Sequence, residues 1–259
     1  MITLKTKEEI AIMREGGKIL AGVLETLRKM VAPGISTADL EKTATQMILT
    51  AGGRPAFKGY KSGGKPFPTT LCTSVNSAVV HGPATPGRVL VEGDIIGIDI
   101  GMQYPAKGGL YTDMAITVPV GNIEKRAQDL LDATKKSLEL AIAKVKAGAE
   151  IREIGVAVQR YIESKGYSVV RDLVGHGVGH HVHEAPQVPN FEISQKSPDN
   201  IILKSGMTIA IEPMVNMGSQ RVKNGRDGFT IETSDGSLSA HFEHTLAVTD
   251  EGCIIITAL

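Results

Sequence analysis

From Thr6 to Val31 the chain alternates apolar and polar positions at helical spacing, and Thr6 with Glu9 forms a capping-box signature. This predicts one long amphipathic helix, closed by Pro33-Gly34. A second helix is predicted from Thr37 to Ala51, stopped by Gly52-Gly53. Residues 54–69, rich in Gly, Pro and Lys, read as a loop. Strand-like runs follow near 70–80, 94–100 and 110–118. A further helix pair is predicted at about 123–147 and 151–165, and strands near 207–215, 229–233, 240–249 and 253–257.

The order helix, helix, strands therefore occurs twice, and the copies match residue by residue. With a shift of 114, Gly34 falls on Gly148, Leu40 on Ile154, Ile48 on Ile162 and Gly52 on Gly166. With a shift of 113, Gly93 meets Gly206 and Asp99 meets Glu212, each acid ending a segment of similar pattern. Asp113 with Met-Ala-Ile-Thr-Val likewise matches Glu243 with His-Thr-Leu-Ala-Val. One long period is too few copies for a solenoid. Two halves, about 1–120 and 121–259, facing each other across a pseudo-twofold axis in a single domain is the expected arrangement.

Strand alternation sets Ile96, Ile98 and Ile100 on one face and Ile95, Gly97 and Asp99 on the other. Ile209 and Ile211 similarly oppose Thr208, Ala210 and Glu212, while Asp113 shares its face with Ala115 and Glu243 with Thr245. Acids are depleted in strands, and one unpaired buried carboxylate costs several kcal/mol. Four at duplicated positions point to bound cations. One divalent ion would leave about two charges uncompensated, whereas two ions balance four carboxylates.

The histidines gather around these acids. Gly175-His-Gly-Val-Gly-His-His-Val-His183 holds four of the seven, His81 precedes Asp99, and His241 and His244 flank Glu243. Imidazole is a frequent transition-metal ligand, but spacing alone does not choose among them. His176 and His180 stand four apart as in a helical zinc pair, yet the glycines between them disfavour a helix. His180, His181, His241 and His244 read as structural or surface residues. Gly175-x-Gly-x-Gly also resembles part of a dinucleotide fingerprint, without the strand–helix–strand setting that fingerprint needs.

Composition narrows the class. The 259 residues are 42% hydrophobic and 22% charged, ordinary for a globular protein, and the formal net charge is zero, which gives no reason to expect nucleic acid or an anionic membrane. Lys58, Lys61 and Lys65 form a short basic loop that reads as solvated. Cys72 and Cys253, without CxxC spacing, exclude a disulfide scaffold and a thiolate zinc site and suit a reducing compartment. There is no apolar signal core and no run long enough to span a bilayer, so a cytoplasmic protein is expected.

Taken together, Asp99, Asp113, Gly-His176-Gly-Val-Gly, Ile-Glu212-Pro-Met and Phe-Glu243-His-Thr resemble the methionine aminopeptidases, in their type I, bacterial-style form. The resemblance runs from the first helix almost to the last residue. It implies an α+β fold of the pita-bread (creatinase/aminopeptidase) type: a curved, mostly antiparallel sheet in two pseudo-twofold-related halves, with helix pairs on the outer face. It implies removal of the N-terminal methionine from nascent proteins and peptides, by attack of a metal-bridging hydroxide on the first peptide bond. Asp99 would bind one metal ion, His176 and Glu212 the other, with Asp113 and Glu243 bridging; the two ions would sit about 3.5–4 Å apart. Glu212 would be the general base and later proton donor, His183 would polarise the carbonyl or stabilise the oxyanion, and His81 would contact the substrate near the scissile amide. Tyr60, Phe67, Cys72, Val182 and Phe229 would line the methionine pocket.

Against the family pattern, Val182 stands where an aromatic is usual and Phe229 where tryptophan is frequent. Ser62-Gly63-Gly64-Lys65 is insertion-like, and the Asp99–Asp113 connection is longer than usual. Ligand hardness favours Mn²⁺ or Fe²⁺, with Co²⁺ and Zn²⁺ able to occupy the site. A monomer working on nascent chains at the ribosome is implied by the resemblance alone. The rival readings are a broader aminopeptidase or prolidase-like enzyme on the same fold, and a catalytically dead binding relative. The catalytic-type region beginning almost at Met1 disfavours the prolidases, and the full ligand set disfavours the dead relative.

Overall fold

The computed structural model describes residues 2–61 and 64–259; the insertion-like Ser62 and Gly63 lie outside the described residues. In chain order the elements are α1 (Lys7–Met30), α2 (Thr37–Thr50), β1 (Arg54–Pro55), β2 (Leu71–Val75), β3 (Ala78–Val80), β4 (Ile95–Tyr104) and β5 (Leu110–Pro119). The second half contains α3 (Lys125–Ile142), α4 (Arg152–Ser164), β6 (Ser168–Val169), β7 (Gly175–Gly177), β8 (Glu184–Val188), β9 (Thr208–Ile211) and β10 (Met214–Asn216). It closes with β11 (Val222–Asn224), β12 (Ile231–Thr233), β13 (Ser239–His241), β14 (Glu243–Val248) and β15 (Cys253–Ile255).

Both N-terminal helices start where their caps dictate. Thr6 and Glu9 close a reciprocal capping box, and Ser36 with Asp39 does the same for α2. The helix expected to reach 147 ends at Ile142, and turns at Lys144 and Val145 carry the chain on to Gly148. The expected run 207–215 breaks at Glu212-Pro213, where the missing proline N–H ends the ladder, and 240–249 breaks at Phe242. Five short strands (β1, β6, β7, β8 and β11) fall outside the predicted runs; each is only two to five residues long, and β1 lies in the stretch 54–69 read as a loop.

A nine-stranded sheet runs in the order β1-β4-β5-β14-β9-β7-β8, with β2 also on β4 and β15 also on β14. Every ladder between the described strands is antiparallel. The central order β4-β5-β14-β9 is symmetric about the β5–β14 pairing, so the duplicated halves meet along their matched strands. Each half packs its helices on its own strands. Leu20, Leu24, Leu40 and Ile48 meet Ile96, Ile98 and Ile100, whereas Leu130, Ile154, Val158 and Ile162 meet Ile209 and Ile211. Gly16 lets α1 lie against Tyr104: a Cβ there would come within 2.9 Å of the Tyr104 side chain. The isoleucine faces are thus sealed by helices, and the opposite faces, with their acids, are left to build a cleft.

Candidate metal centre

Antiparallel register puts four residues in one row across β2, β4, β5 and β14: Cys72 opposite Asp99, Asp99 opposite Ala115, and Ala115 opposite Glu243. Asp113 stands two residues from Ala115 on the same face, opposite Gly101. Small residues leave room between the acids, and the lack of a side chain at Gly101 admits the ring of Phe57. Glu212 follows directly on β9, the other neighbour of β14. His176, on β7, comes to the same point from the far side of β9.

The donor atoms converge. His176 Nε2 lies 3.5 Å from Asp113 Oδ2 and 3.5 Å from Glu212 Oε1. Donor atoms of Asp113, His176 and Glu243 all fall within 4.8 Å of one another. His176 Nδ1–H donates to the Gly177 carbonyl at 2.9 Å, which directs the Nε2 lone pair toward the acids. Thr245 Oγ1 accepts from Asp113 N–H at 3.1 Å and stands 2.9 Å from Asp113 Oδ1, fixing that carboxylate.

Burial pushes the carboxyls of Asp99, Glu212 and Glu243 well above their ordinary range, and the charge of Asp113 adds to each shift. Asp113 is also raised by burial, against the opposing pull of His176 and Thr245. Asp99 Oδ1 is buried with no hydrogen-bond partner among the described residues. Four acids, one unprotonated imidazole nitrogen and an orphaned carboxylate oxygen fit divalent cations: hard oxygen donors with one borderline nitrogen.

The cluster lines a cavity of about 1060 Å³. Tyr60, Phe67, Cys72, His81, His183 and Phe229 all line it. The Phe67 and Phe229 rings meet edge to face with centroids 5.5 Å apart, and the Tyr60 hydroxyl is 2.8 Å from His183 Nδ1. Cys72 is fully buried beside Asp99, and both burial and that charge raise its thiol pKa. His81 enters the wall from a left-handed backbone (φ 61), pinned because Thr73 N–H donates to the Gly82 carbonyl at 2.6 Å.

Val182 is a correction. It is buried and lines a neighbouring cavity instead, whereas His181 and His183 on either side of it line both cavities. Several wall residues have no individual signal in the sequence: Phe57, Val80, Leu173, Gln187 and Met214. Met214 belongs to the Ile-Glu-Pro-Met motif, and Gln187 faces His176 across the β7–β8 ladder, so their motif neighbours could have flagged them. Two histidines read as structural also reach the site. His181 lines the cavity, and buried His241 sets its Nε2, which has no hydrogen-bond partner among the described residues, 3.7 Å from Glu212 Oε2.

Paired buried carboxylates and an imidazole on the floor of a substrate-sized cleft define a metallohydrolase. Comparison with known proteins agrees: residues 11–250 match metallopeptidase family M24. Methionine aminopeptidase 1 of Bacillus subtilis is 46% identical over 258 residues, 99% of each chain. The methionine aminopeptidase of Escherichia coli K12 is 40% identical over 99% of this chain and 94% of its own. The crystal structure of the Thermotoga maritima methionine aminopeptidase superposes with a TM-score of 0.93 at 41% identity, covering all of both chains. The chain belongs to the methionine aminopeptidases of family M24 and has their pita-bread fold. A Pyrococcus furiosus prolidase shares the fold at 21% identity and a TM-score of 0.76.

Proposed function

We propose that this metalloaminopeptidase removes methionine from the N-termini of peptides and nascent proteins, using the cleft floored by Asp99, Asp113, His176, Glu212 and Glu243. The observation that carries the reading is the convergence of His176 Nε2 on Asp113 and Glu212, both at 3.5 Å, within a family of metallopeptidases. Those five residues would hold two divalent ions, of Mn, Fe or Co, with Zn possible. Such ions would supply Lewis acidity and make water a better nucleophile at neutral pH.

The protein's own groups do the rest. Glu212 takes the proton of the attacking water and returns it to the leaving amine nitrogen. His183 is kept neutral: desolvation, and then the neighbouring His176 and His81, push its pKa down to about 3. A Tyr60 hydroxyl donating to Nδ1 leaves the His183 Nε2–H free to donate to the scissile carbonyl oxygen. His81 contacts the amide beside it. Phe67, Phe229, Cys72 and Tyr60 enclose the methionine side chain, a soft thioether among aromatic edges.

The two halves, 1–120 and 121–259, act as a single catalytic domain in this reading. The enzyme works as a monomer in the cytoplasm on chains emerging from the ribosome; no described helix is long and apolar enough to cross a membrane.

The test is release of the first residue from Met-Ala-Ser, Leu-Ala-Ser and Ala-Pro-Ser by protein reloaded anaerobically with Mn²⁺. Cleavage of the methionine peptide alone, lost in Glu212→Ala, supports the reading. Cleavage of the leucine peptide too makes the pocket broader, and cleavage of the proline peptide alone moves the enzyme to the side of the prolidases and aminopeptidase P.

A further inference from the structure

Beside the catalytic cleft lies a second cavity of about 570 Å³, which shares Tyr60, His181 and His183 with it. Its other walls bring in Arg54, Lys58 and Tyr111, and among the described residues no carboxylate lines it. Arg54 is held in place. One guanidinium nitrogen donates to Gln103 Oε1 at 2.6 Å and to the Tyr111 hydroxyl at 2.7 Å, while Gln103 Nε2 is tied to the Gly109 carbonyl at 2.9 Å.

Both Arg54 partners are neutral, so the charge is fixed in space and left uncompensated. Neither Arg54 nor Lys58 has a carboxylate within 4.0 Å among the described residues, and the same holds for Lys61 and for Lys65 on the wall of the main cleft. Lys58 thus stands beside Arg54 on the wall of the second cavity, both residues open to solvent. A planar guanidinium fixed by neutral acceptors is preorganised to receive a carboxylate.

The position of this cavity names the occupant. A peptide whose first residue lies over the acids passes the Tyr60–His183 pair as it leaves, and that pair is the shared wall. We propose that the cavity around Arg54 and Lys58 is a carboxylate-binding subsite for the part of the substrate that follows the cleaved bond. This rests on the aminopeptidase reading above and adds a specificity to it: preference for acidic residues downstream, or for the free C-terminus of a short peptide.

The experiment compares hexapeptides beginning Met-Ala-Ser, with Glu, Gln or Lys scanned through positions three to six and the C-terminus either free or amidated. Two readouts are taken at low salt: kcat/KM on Mn²⁺-loaded protein, and equilibrium binding of labelled peptides in chelator, where turnover is absent. Glu should exceed Lys by about fivefold or more in both readouts at one position at least, and the gap should shrink in high salt. If the free C-terminus is the ligand, amidation lowers both readouts whichever residue is scanned; if a side chain is, the Glu advantage survives amidation.

The double variant Arg54→Gln/Lys58→Gln should bring the Glu-to-Lys ratio close to one. Lys58→Glu, at an exposed side chain, should invert it. Equal rates and affinities for Glu and Lys peptides in the unmodified protein, together with no loss on amidation, would overturn the proposal, as would a preference that survives both variants. Were no peptide cleaved, the metal-centre reading would fail while the binding ratio still decided this one. A short RNA hairpin bound more tightly than any peptide, with that binding lost in the double variant, would assign the cations to RNA and also overturn it.

Discussion

Lys5 Nζ meets Glu184 Oε2 at 2.6 Å beneath the loop that carries His183, both side chains almost excluded from solvent. The Thr3 hydroxyl donates to the same oxygen at 2.7 Å, and the other oxygen accepts from the His181 backbone N–H at 2.8 Å. Ile2 bridges Ala185, so residues 2–5 form a strap tied to the histidine loop. Burial alone would raise the Glu184 carboxyl; Lys5, Thr3 and the His181 N–H outweigh it and hold the pKa at about 2.

The folded value lies below the unfolded one, so this group contributes stability that is present above about pH 4.5 and lost as pH falls toward 2. We expect about 2 kcal/mol, less than the ~3 kcal/mol of the full shift, because part of the neighbourhood opens to the cleft. Lys5→Met should lower stability at pH 7 by about 3 kcal/mol, since it leaves a buried carboxylate without its cation. It should also flatten the acid limb of the stability curve. Urea unfolding between pH 3 and 7 decides it: an unchanged acid limb in Lys5→Met would show that the pair does not set Glu184.

The acid cluster predicts the opposite sign. Asp99, Asp113, Glu212 and Glu243 have folded pKa values raised above their unfolded ones, chiefly by burial. The metal-free protein therefore keeps protons that the unfolded chain releases, and its stability falls as pH rises through the folded values. Divalent ions must displace those protons. Between pH 5.5 and 8 the Tm of chelated protein should drop, while the Tm gain on adding Mn²⁺ grows. Calorimetric titration at pH 6 in buffers of different ionisation enthalpy should register proton release. A metal-induced gain independent of pH, with no proton released, would count against these carboxylates as the ligands.

The duplicated halves were legible because paired acids interrupt two apolar strands at matched positions, and the physical cost of burying them was readable without coordinates. Asp99, Asp113, Glu212 and Glu243 accordingly share one face of the sheet. The sequence was silent where position depends on distant partners. The strands β7 and β8 hold His176 in place, yet Gly175–Gly177 has neither alternation nor β-branched residues. Val182 was assigned by the family resemblance, and the structure sets it on the wall of the neighbouring cavity, in a bend whose course no local pattern shows. The neighbour of Glu212 could not be read either, since His241 reaches it from β13 by way of the β10 ladder.

That neighbour carries a prediction of its own. The Glu212 carboxylate lies between two imidazoles, Oε1 3.5 Å from His176 Nε2 and Oε2 3.7 Å from His241 Nε2. Burial pushes the His241 pKa down to about 3, which leaves a neutral ring. His241 stands behind that carboxylate at 3.7 Å, outside hydrogen-bond distance but near enough to limit its movement. His241→Leu should weaken Mn²⁺ binding by about tenfold, and His241→Gln, which retains a donor, should recover most of it. Titration of both variants with Mn²⁺ followed by calorimetry is the check; equal losses in Leu and Gln would make the residue mere packing.

Glycine substitutions at two positions should move stability in opposite directions. Gly177 follows His176 in β7, where the strand is squeezed between β8 and β9. A Cβ there would run into the Ala185 carbonyl group, whose backbone cannot yield without opening the ladder. Gly177→Ala should cost about 2–4 kcal/mol and displace His176, whose Nδ1 is anchored to the Gly177 carbonyl. Gly22, inside α1, has nothing within 4 Å of its virtual Cβ, and α-helical backbone suits alanine. Gly22→Ala should therefore stabilise by about 0.5–1 kcal/mol and leave turnover unchanged. Chemical denaturation of both variants, with Mn²⁺ titration of the first, provides the comparison. A stable Gly177→Ala protein with intact metal affinity would mean that the β7 strand tolerates a side chain and that His176 does not depend on the tight approach of β8.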